Sequence, residues 1–165
     1  MTRTELGARR SGLAASIAAA SPRVLVISAP PGYEKAVLLD AYAEQAGVSR
    51  TMCDLARQES APDIARRVVD ALVSGDRSRA AHLAADRLAQ PRELIPATAR
   101  EMLRREWPRA EQPELFVLRD SAGAMSIASG VELLSELIAT LPAARTVAIS
   151  TRTPLPPALS RSTNS

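Results

Sequence analysis

The residues from Ala29 to Ala36 read APPGYEKA and lie between a short apolar run and a helical pattern. This segment agrees in part with the phosphate-loop pattern G-x-x-x-x-G-K-[ST], in which glycines let the backbone approach phosphates and a lysine contacts them. The N–H groups of such a loop and of the following helix point to one spot, where a phosphate binds. Because Lys35 stands at the lysine position, the sequence predicts a phosphate site here.

Three other positions of this segment depart from the pattern. Ala29 replaces the first glycine, Glu34 replaces the second, and Ala36 replaces the hydroxyl residue that would contact Mg²⁺. Glu34 also brings a negative charge toward the phosphates, and two like charges about 4 Å apart repel by roughly 4 kcal/mol at an effective dielectric constant of about 20. The departures at Glu34 and Ala36 argue against nucleotide hydrolysis.

Lys35 is the only lysine among the 21 basic residues of the chain. A sequence that otherwise uses arginine has a compact ammonium group where phosphates would lie. Two interpretations are open: a lysine retained for phosphate binding, and chance retention in a decaying motif.

The composition is that of an ordinary globular domain. The chain has 165 residues, a net charge of +3 and interspersed acidic and basic residues, so charge alone does not indicate nucleic-acid binding. Cys53 is the single cysteine, which excludes an internal disulfide and fits a reducing compartment. We expect Cys53 to be a buried apolar residue and His82 an exposed helix residue. No run approaches the roughly 20 apolar residues of a membrane span, and we expect a cytoplasmic protein.

Strands and helices alternate along the chain, which predicts a parallel sheet with helices on both faces. Apolar runs predict strands over 24–28, 48–55, 115–118 and 146–150. Apolar spacing predicts helices over 8–20, 35–46, 61–75 and 130–141, with two or three short helices between 77 and 107. Leu13, Ile17 and Ala20 form the predicted apolar stripe of the first helix, and Gly47 is the predicted C-terminal residue of the second.

Together these motifs resemble those of one known protein family. The run ISAPPGYEKAVLLDAYAEQAG resembles the phosphate-loop segment of the large ATP-dependent transcriptional regulators of the maltose-regulator and LuxR type, members of the STAND class of P-loop NTPases. Their loop typically reads SAPAGYGKTTLL. The run PELFVLRDSAGAMS resembles their Walker B strand, and LIATLPAARTVAISTRTPLPPALSR resembles their fourth strand with its Ser-Arg-x-x-Pro segment. The resemblance covers about residues 10–161.

The resemblance implies an α/β fold, namely a three-layer parallel sheet P-loop NTPase-like domain that lacks the fifth strand. It divides the chain into an N-terminal helical segment (1–22), the P-loop NTPase-like domain (23–157) and a polar tail (158–165). Because the fifth strand flanks the first in these regulators, its loss would leave strand 24–28 with an open edge. The N-terminal segment or a partner, such as a second copy of the chain, would cover that edge.

The resemblance also implies site residues. Asp120 is the candidate catalytic residue, and the candidate nucleotide contacts are Gly32, Tyr33, Lys35, Ala36 and Arg152. No metal ligand is predicted, because Arg119 stands at the place of the first Walker B acid. We expect Arg119 to form an ion pair with Glu34.

The leading hypothesis is a degenerate NTPase domain that acts as a regulatory or protein-interaction module through a protein partner or self-association. The alternative is a weak ATP-binding or ATPase domain of a transcriptional regulator, with ATP or ADP as the candidate ligands. Without a helix-turn-helix we do not expect DNA binding, and we expect no membrane association.

Overall fold

A computed structural model describes residues 3–30, 34–55, 60–75, 96–110 and 112–163. Its centre is one parallel sheet in the order β1-β4-β3-β2. The four strands are Val24–Ser28 (β1), Ser49–Asp54 (β2), Glu114–Arg119 (β3) and Arg145–Thr151 (β4). All four predicted strands and their parallel arrangement are confirmed. Because parallel strands run in the same direction, their carboxyl ends all lie on one side of the sheet.

Seven helices lie within the described residues. They are Arg3–Ala20 (α1), Lys35–Ala46 (α2), Ala61–Gly75 (α3), Pro96–Glu106 (α4), Ala122–Met125 (α5), Ala128–Ala139 (α6) and Pro157–Thr163 (α7). Gly47 ends α2 in the left-handed conformation, with φ of 64°, as predicted. Of the short helices predicted over 77–107 the structure describes α4; the other part of that prediction, with His82, lies outside the described residues.

The helices cover both faces of the sheet and make the three-layer fold. On one face, Leu115 and Val117 of β3 pack in a cluster with residues of α1 and α2. On the other face, Phe116 and Leu118 pack in a larger cluster with residues of α3, α4, α6 and α7. This alternation follows from the two-residue period of a strand. Cys53 is buried in the larger cluster, as predicted.

Two expectations about the chain ends differ from the structure. Over residues 11–20 of α1, where burial is described, the buried residue is Ala14. Leu13 is 51% exposed and Ala20 is also exposed, so the predicted apolar stripe is wrong at these two positions. Where the sequence predicts a polar tail, the structure has α7, and its Leu159 is fully buried against the core.

A buried arginine joins elements at the amino ends of the strands. The Arg145 side chain forms an ion pair with Glu114 and donates to the main-chain oxygens of Trp107 and Arg109. Its guanidinium lies 4.5 Å from the centre of the Trp107 ring. Because the burial of Arg145 is matched by these partners, the end of α4 is fixed to β3 and β4, away from the predicted site.

Candidate functional site

The predicted site lies at the carboxyl ends of the strands, where β1 leads through the loop into α2. Gly32 and Tyr33 fall in 31–33, outside the described residues, so these two predictions have no structural outcome. The loop begins at Ala29, whose N–H donates to the Thr151 main-chain oxygen over 3.2 Å. This bond fixes the start of the loop to the end of β4.

Glu34 precedes the first residue of α2 and has a left-handed backbone conformation, with φ of 47° and ψ of 41°. Its main-chain oxygen accepts from the Val37 N–H over 2.9 Å, which begins the helix. Glu34 stands at the second glycine position of the pattern, and glycine is the residue that adopts this conformation without steric cost. The chain therefore keeps a glycine-type backbone at a position that carries a glutamate.

Lys35 and Ala36 follow in the first turn of α2, where the leading N–H groups of a helix have no acceptor within the helix. The Lys35 Nζ donates to the main-chain oxygens of Ala29, over 2.6 Å, and of Pro30, over 3.1 Å. The Lys35 side chain thus contacts the two residues at which the loop begins. Ala36 is exposed and offers no hydroxyl to a metal ion.

Arg119 ends β3 and forms its ion pair with Asp54, its neighbour in register at the end of β2. The hydrogen bond to Asp54 raises the pKa of Arg119 above its ordinary value, and the negative charge of Asp54 adds to the effect. The expected pair between Arg119 and Glu34 is therefore wrong: side chains of paired strands in register are close, and Asp54 is that neighbour.

Asp120 and Arg152, predicted from two separate motifs, lie together. The Arg152 Nη2 donates to the Asp120 Oδ2 over 2.8 Å. Asp120 has a φ of 56°, a left-handed conformation that aspartate tolerates better than most residues. The next residue, Ser121, is buried and donates through both its N–H and its hydroxyl to the Ser150 main-chain oxygen. These bonds hold the turn after β3 against β4.

A cleft of about 380 Å³ joins these residues. It is lined by charged groups from four elements and by a smaller set of apolar and small residues: Glu34, Lys35, Ala36, Leu39, Arg50, Met52, Val117, Arg119, Asp120, Ser150 and Arg152. The structure thus brings together four predicted site residues, Lys35, Ala36, Asp120 and Arg152.

Sequence reasoning missed two residues of this site, Arg50 and Asp54. Arg50 lines the cleft and pairs with Asp40 of α2, and Asp54 pairs with Arg119. One signal was present for Asp54: it lies in the last two residues of the predicted strand 48–55, and Arg119 directly follows the predicted strand 115–118. The carboxyl ends of parallel strands lie on the same side of a sheet. Arg50 carries no such signal.

Mg²⁺ is the metal that the resemblance implies, and the residues do not fit it. Mg²⁺ prefers oxygen ligands, which in such sites include a hydroxyl and a carboxylate. Here the corresponding positions are Ala36 and Arg119, a methyl group and a cation. Among the residues that the structure describes, no group of three histidine, cysteine, aspartate or glutamate side chains has the arrangement of a metal site.

No protein-family model and no curated protein matches the sequence. Among solved structures, the chain is similar to the ORC1 protein of Aeropyrum pernix, solved in complex with DNA, with a TM-score of 0.55 and 18% sequence identity. The match covers 88% of this chain and 38% of that chain, so this chain spans well under half of its length. In the described part of the chain, no helix is both long and apolar enough to cross a membrane.

At this level of identity the similarity concerns the fold alone. The all-parallel four-stranded sheet and the helices on both faces agree with it. The chain therefore has a mixed α/β, P-loop NTPase-like fold.

Proposed function

We propose that this chain is a degenerate P-loop NTPase domain that acts as a regulatory or protein-interaction module and does not hydrolyse nucleotide. The observation that carries the proposal is the ion pair between Arg119 and Asp54 at the place where a Walker B acid would serve Mg²⁺. A guanidinium cannot bind a metal ion, because it has donors and no acceptor. Ala36 removes the second metal contact independently.

The sequence resemblance to the STAND-class regulators of the maltose-regulator and LuxR type supports a regulatory role. In those proteins the fifth strand flanks the first, and in this structure β1 lies at an edge of the sheet. The relation to transcriptional regulators and a cytoplasmic location are parts of this proposal. The presence of a single cysteine in the sequence, Cys53, supports that location.

The experiment is to restore the three lost positions and measure nucleotide binding by isothermal titration. In Glu34→Gly/Ala36→Thr/Arg119→Asp, a glycine, a hydroxyl and a carboxylate return together. We expect ATP affinity to become dependent on Mg²⁺ in this variant, whereas Glu34→Gly/Ala36→Thr, which keeps Arg119, is the matched control and stays independent of Mg²⁺. Magnesium-dependent phosphate release by the unaltered chain would overturn the proposal.

A second candidate is a weak ATP-binding domain of a transcriptional regulator. Lys35 favours it, because its ammonium lies at the start of α2 beside the cleft that Arg152 also lines. Binding of ATP by the unaltered chain with loss in Lys35→Gln would support this candidate, and turnover would distinguish an ATPase from a binding domain.

For the partner we propose a second copy of the chain, docked at the edge of β1 that pairs with no other strand of the described residues, called here the free edge. Val147 donates its N–H to the Arg23 main-chain oxygen and Ala29 donates to that of Thr151, so Leu25 and Ile27 face β4. Val24, Val26 and Ser28 then direct their N–H and C=O groups to the free edge. These three residues are symmetric about Val26, as antiparallel pairing of two identical strands across a two-fold axis requires.

DNA binding is the less favoured proposal. The DNA complex of the similar ORC1 structure describes what that protein binds. Within the described residues, basic side chains pair with acidic ones at many places, for example Arg104 with Glu136, and this interspersed charge does not favour DNA binding.

A further inference from the structure

The cleft at the carboxyl ends of the strands collects positive charge from separate parts of the fold. Its four cationic side chains come from the start of α2, from β2, from the end of β3 and from the segment after β4: Lys35, Arg50, Arg119 and Arg152. Two carboxylates, Glu34 and Asp120, also line it. The lining therefore carries four positive and two negative charges.

The three arginines are held by ion pairs that are open to solvent. Arg50 pairs with Asp40, Arg119 with Asp54 and Arg152 with Asp120. The side chains in these pairs are between 28% and 54% exposed. Ion pairs at such exposure contribute little to stability, so each arginine can exchange its carboxylate for a ligand oxygen at small cost.

Phosphoryl oxygens are the ligand groups that best match these donors. A guanidinium presents a planar set of N–H groups that binds two oxygens of one phosphate at once. Lys35 and the leading N–H groups of α2 add donors beside the arginines. A chain of phosphoryl groups spreads its oxygens over a greater length than a single phosphate does, which suits donors that come from four elements of the fold.

We infer that this cleft binds a polyphosphate group without a divalent metal, with Arg50, Arg119 and Arg152 supplying the positive charge that Mg²⁺ supplies in other P-loop sites. The inference rests on the proposed function, because it assigns a ligand class to a site that has lost its metal contacts. The carboxylates of Glu34 and Asp120 repel the negatively charged ligand, so the affinity is expected to be moderate and sensitive to salt.

The test is isothermal titration of the full chain with sodium tripolyphosphate in the presence of EDTA. We expect binding that weakens as salt is added, and an affinity for inorganic phosphate at least tenfold lower. Metal-free ATP and ADP are the second arm. ATP affinity equal to that of tripolyphosphate identifies the phosphate chain as the recognised group, and tighter ATP binding adds the nucleoside; both support the inference.

Charge-removing variants tie the binding to the cleft. Arg50→Gln and Arg119→Gln are each expected to weaken tripolyphosphate binding about tenfold, because each removes charge-assisted hydrogen bonds. Arg66→Gln is the matched control: Arg66 is also exposed and also pairs with an aspartate, Asp63, but it does not line the cleft. Thermal unfolding of each variant verifies that it is folded.

Absence of metal-free binding, an equal effect of Arg66→Gln, or binding only when Mg²⁺ is added would overturn the inference. The first two results leave the proposed function intact, because a domain that binds no polyphosphate also does not hydrolyse nucleotide. Binding that needs Mg²⁺, with phosphate release, would instead overturn both.

Discussion

Glu34 has a side chain at a position where the backbone conformation suits glycine. Its φ of 47° brings the Cβ atom close to the following carbonyl oxygen, which costs an L-residue roughly 1–2 kcal/mol. The bond from the Val37 N–H to the Glu34 oxygen depends on this conformation, since it begins α2. The strain is therefore kept because the turn into the helix requires it.

Glu34→Gly is expected to raise the free energy of unfolding by about 0.5–1 kcal/mol, because relief of the strain exceeds the added flexibility of the unfolded chain. Urea denaturation measures the change. Glu34→Ala is the control: it removes the carboxylate and keeps the Cβ atom, so it brings no such gain. Equal stability of the two variants would mean that charge, not backbone strain, determines the effect.

At the residue scale, the sequence predicts which side chains reach the site better than it predicts their partners. Lys35, Asp120 and Arg152 follow from motif positions, and the structure has all three in one cleft. The partner of Arg119 was not predictable in this way. It depends on the register between β2 and β3, which is set by packing of whole strands and not by a local pattern.

At the scale of elements, long periodic segments are well predicted and short ones are missed. The strands and α2 follow from apolar runs and helical spacing, and their bounds agree closely with the structure. The short helices α5 and α7 do not. The single Leu159 that fixes α7 to the core gives no periodic signal, and tertiary packing decides its conformation.

The junction of α5 and α6 gives a test at this scale. A Cβ atom on Gly130 would overlap the Ala124 main-chain oxygen and lie 3.1 Å from the Ile127 Cγ1. Gly130→Ala is therefore expected to lower the free energy of unfolding by about 1–3 kcal/mol, because a backbone group cannot yield as a side chain does.

Gly12→Ala is the matched control, measured by the same denaturation. Gly12 lies in α1 with nothing within 4 Å of an added Cβ atom, so the same substitution should stabilise the chain by about 0.5–1 kcal/mol. Changes of the same sign at the two positions would contradict the close approach of α5 to α6.

At the scale of the whole molecule, we expect the chain to self-associate through the free edge of β1. Val26 is 37% exposed on β1, and β1 carries no charge or proline of the kind that protects an edge strand. Val26→Lys is expected to shift the chain toward the monomer, measured by analytical ultracentrifugation over a range of concentrations. Val37→Lys is the control, since Val37 is 44% exposed on α2, outside the sheet. A chain that is monomeric at all concentrations would refute the pairing.

We propose that the P-loop site has lost both of its metal contacts, with Ala36 at one position and the ion pair of Arg119 and Asp54 at the other. The most direct measurement is titration of the unaltered chain with ATP, once with Mg²⁺ and once with EDTA, together with an assay of phosphate release. We expect no tightening by Mg²⁺ and no phosphate release, whether or not metal-free ATP binds. Tighter binding with Mg²⁺, accompanied by phosphate release, would contradict the claim.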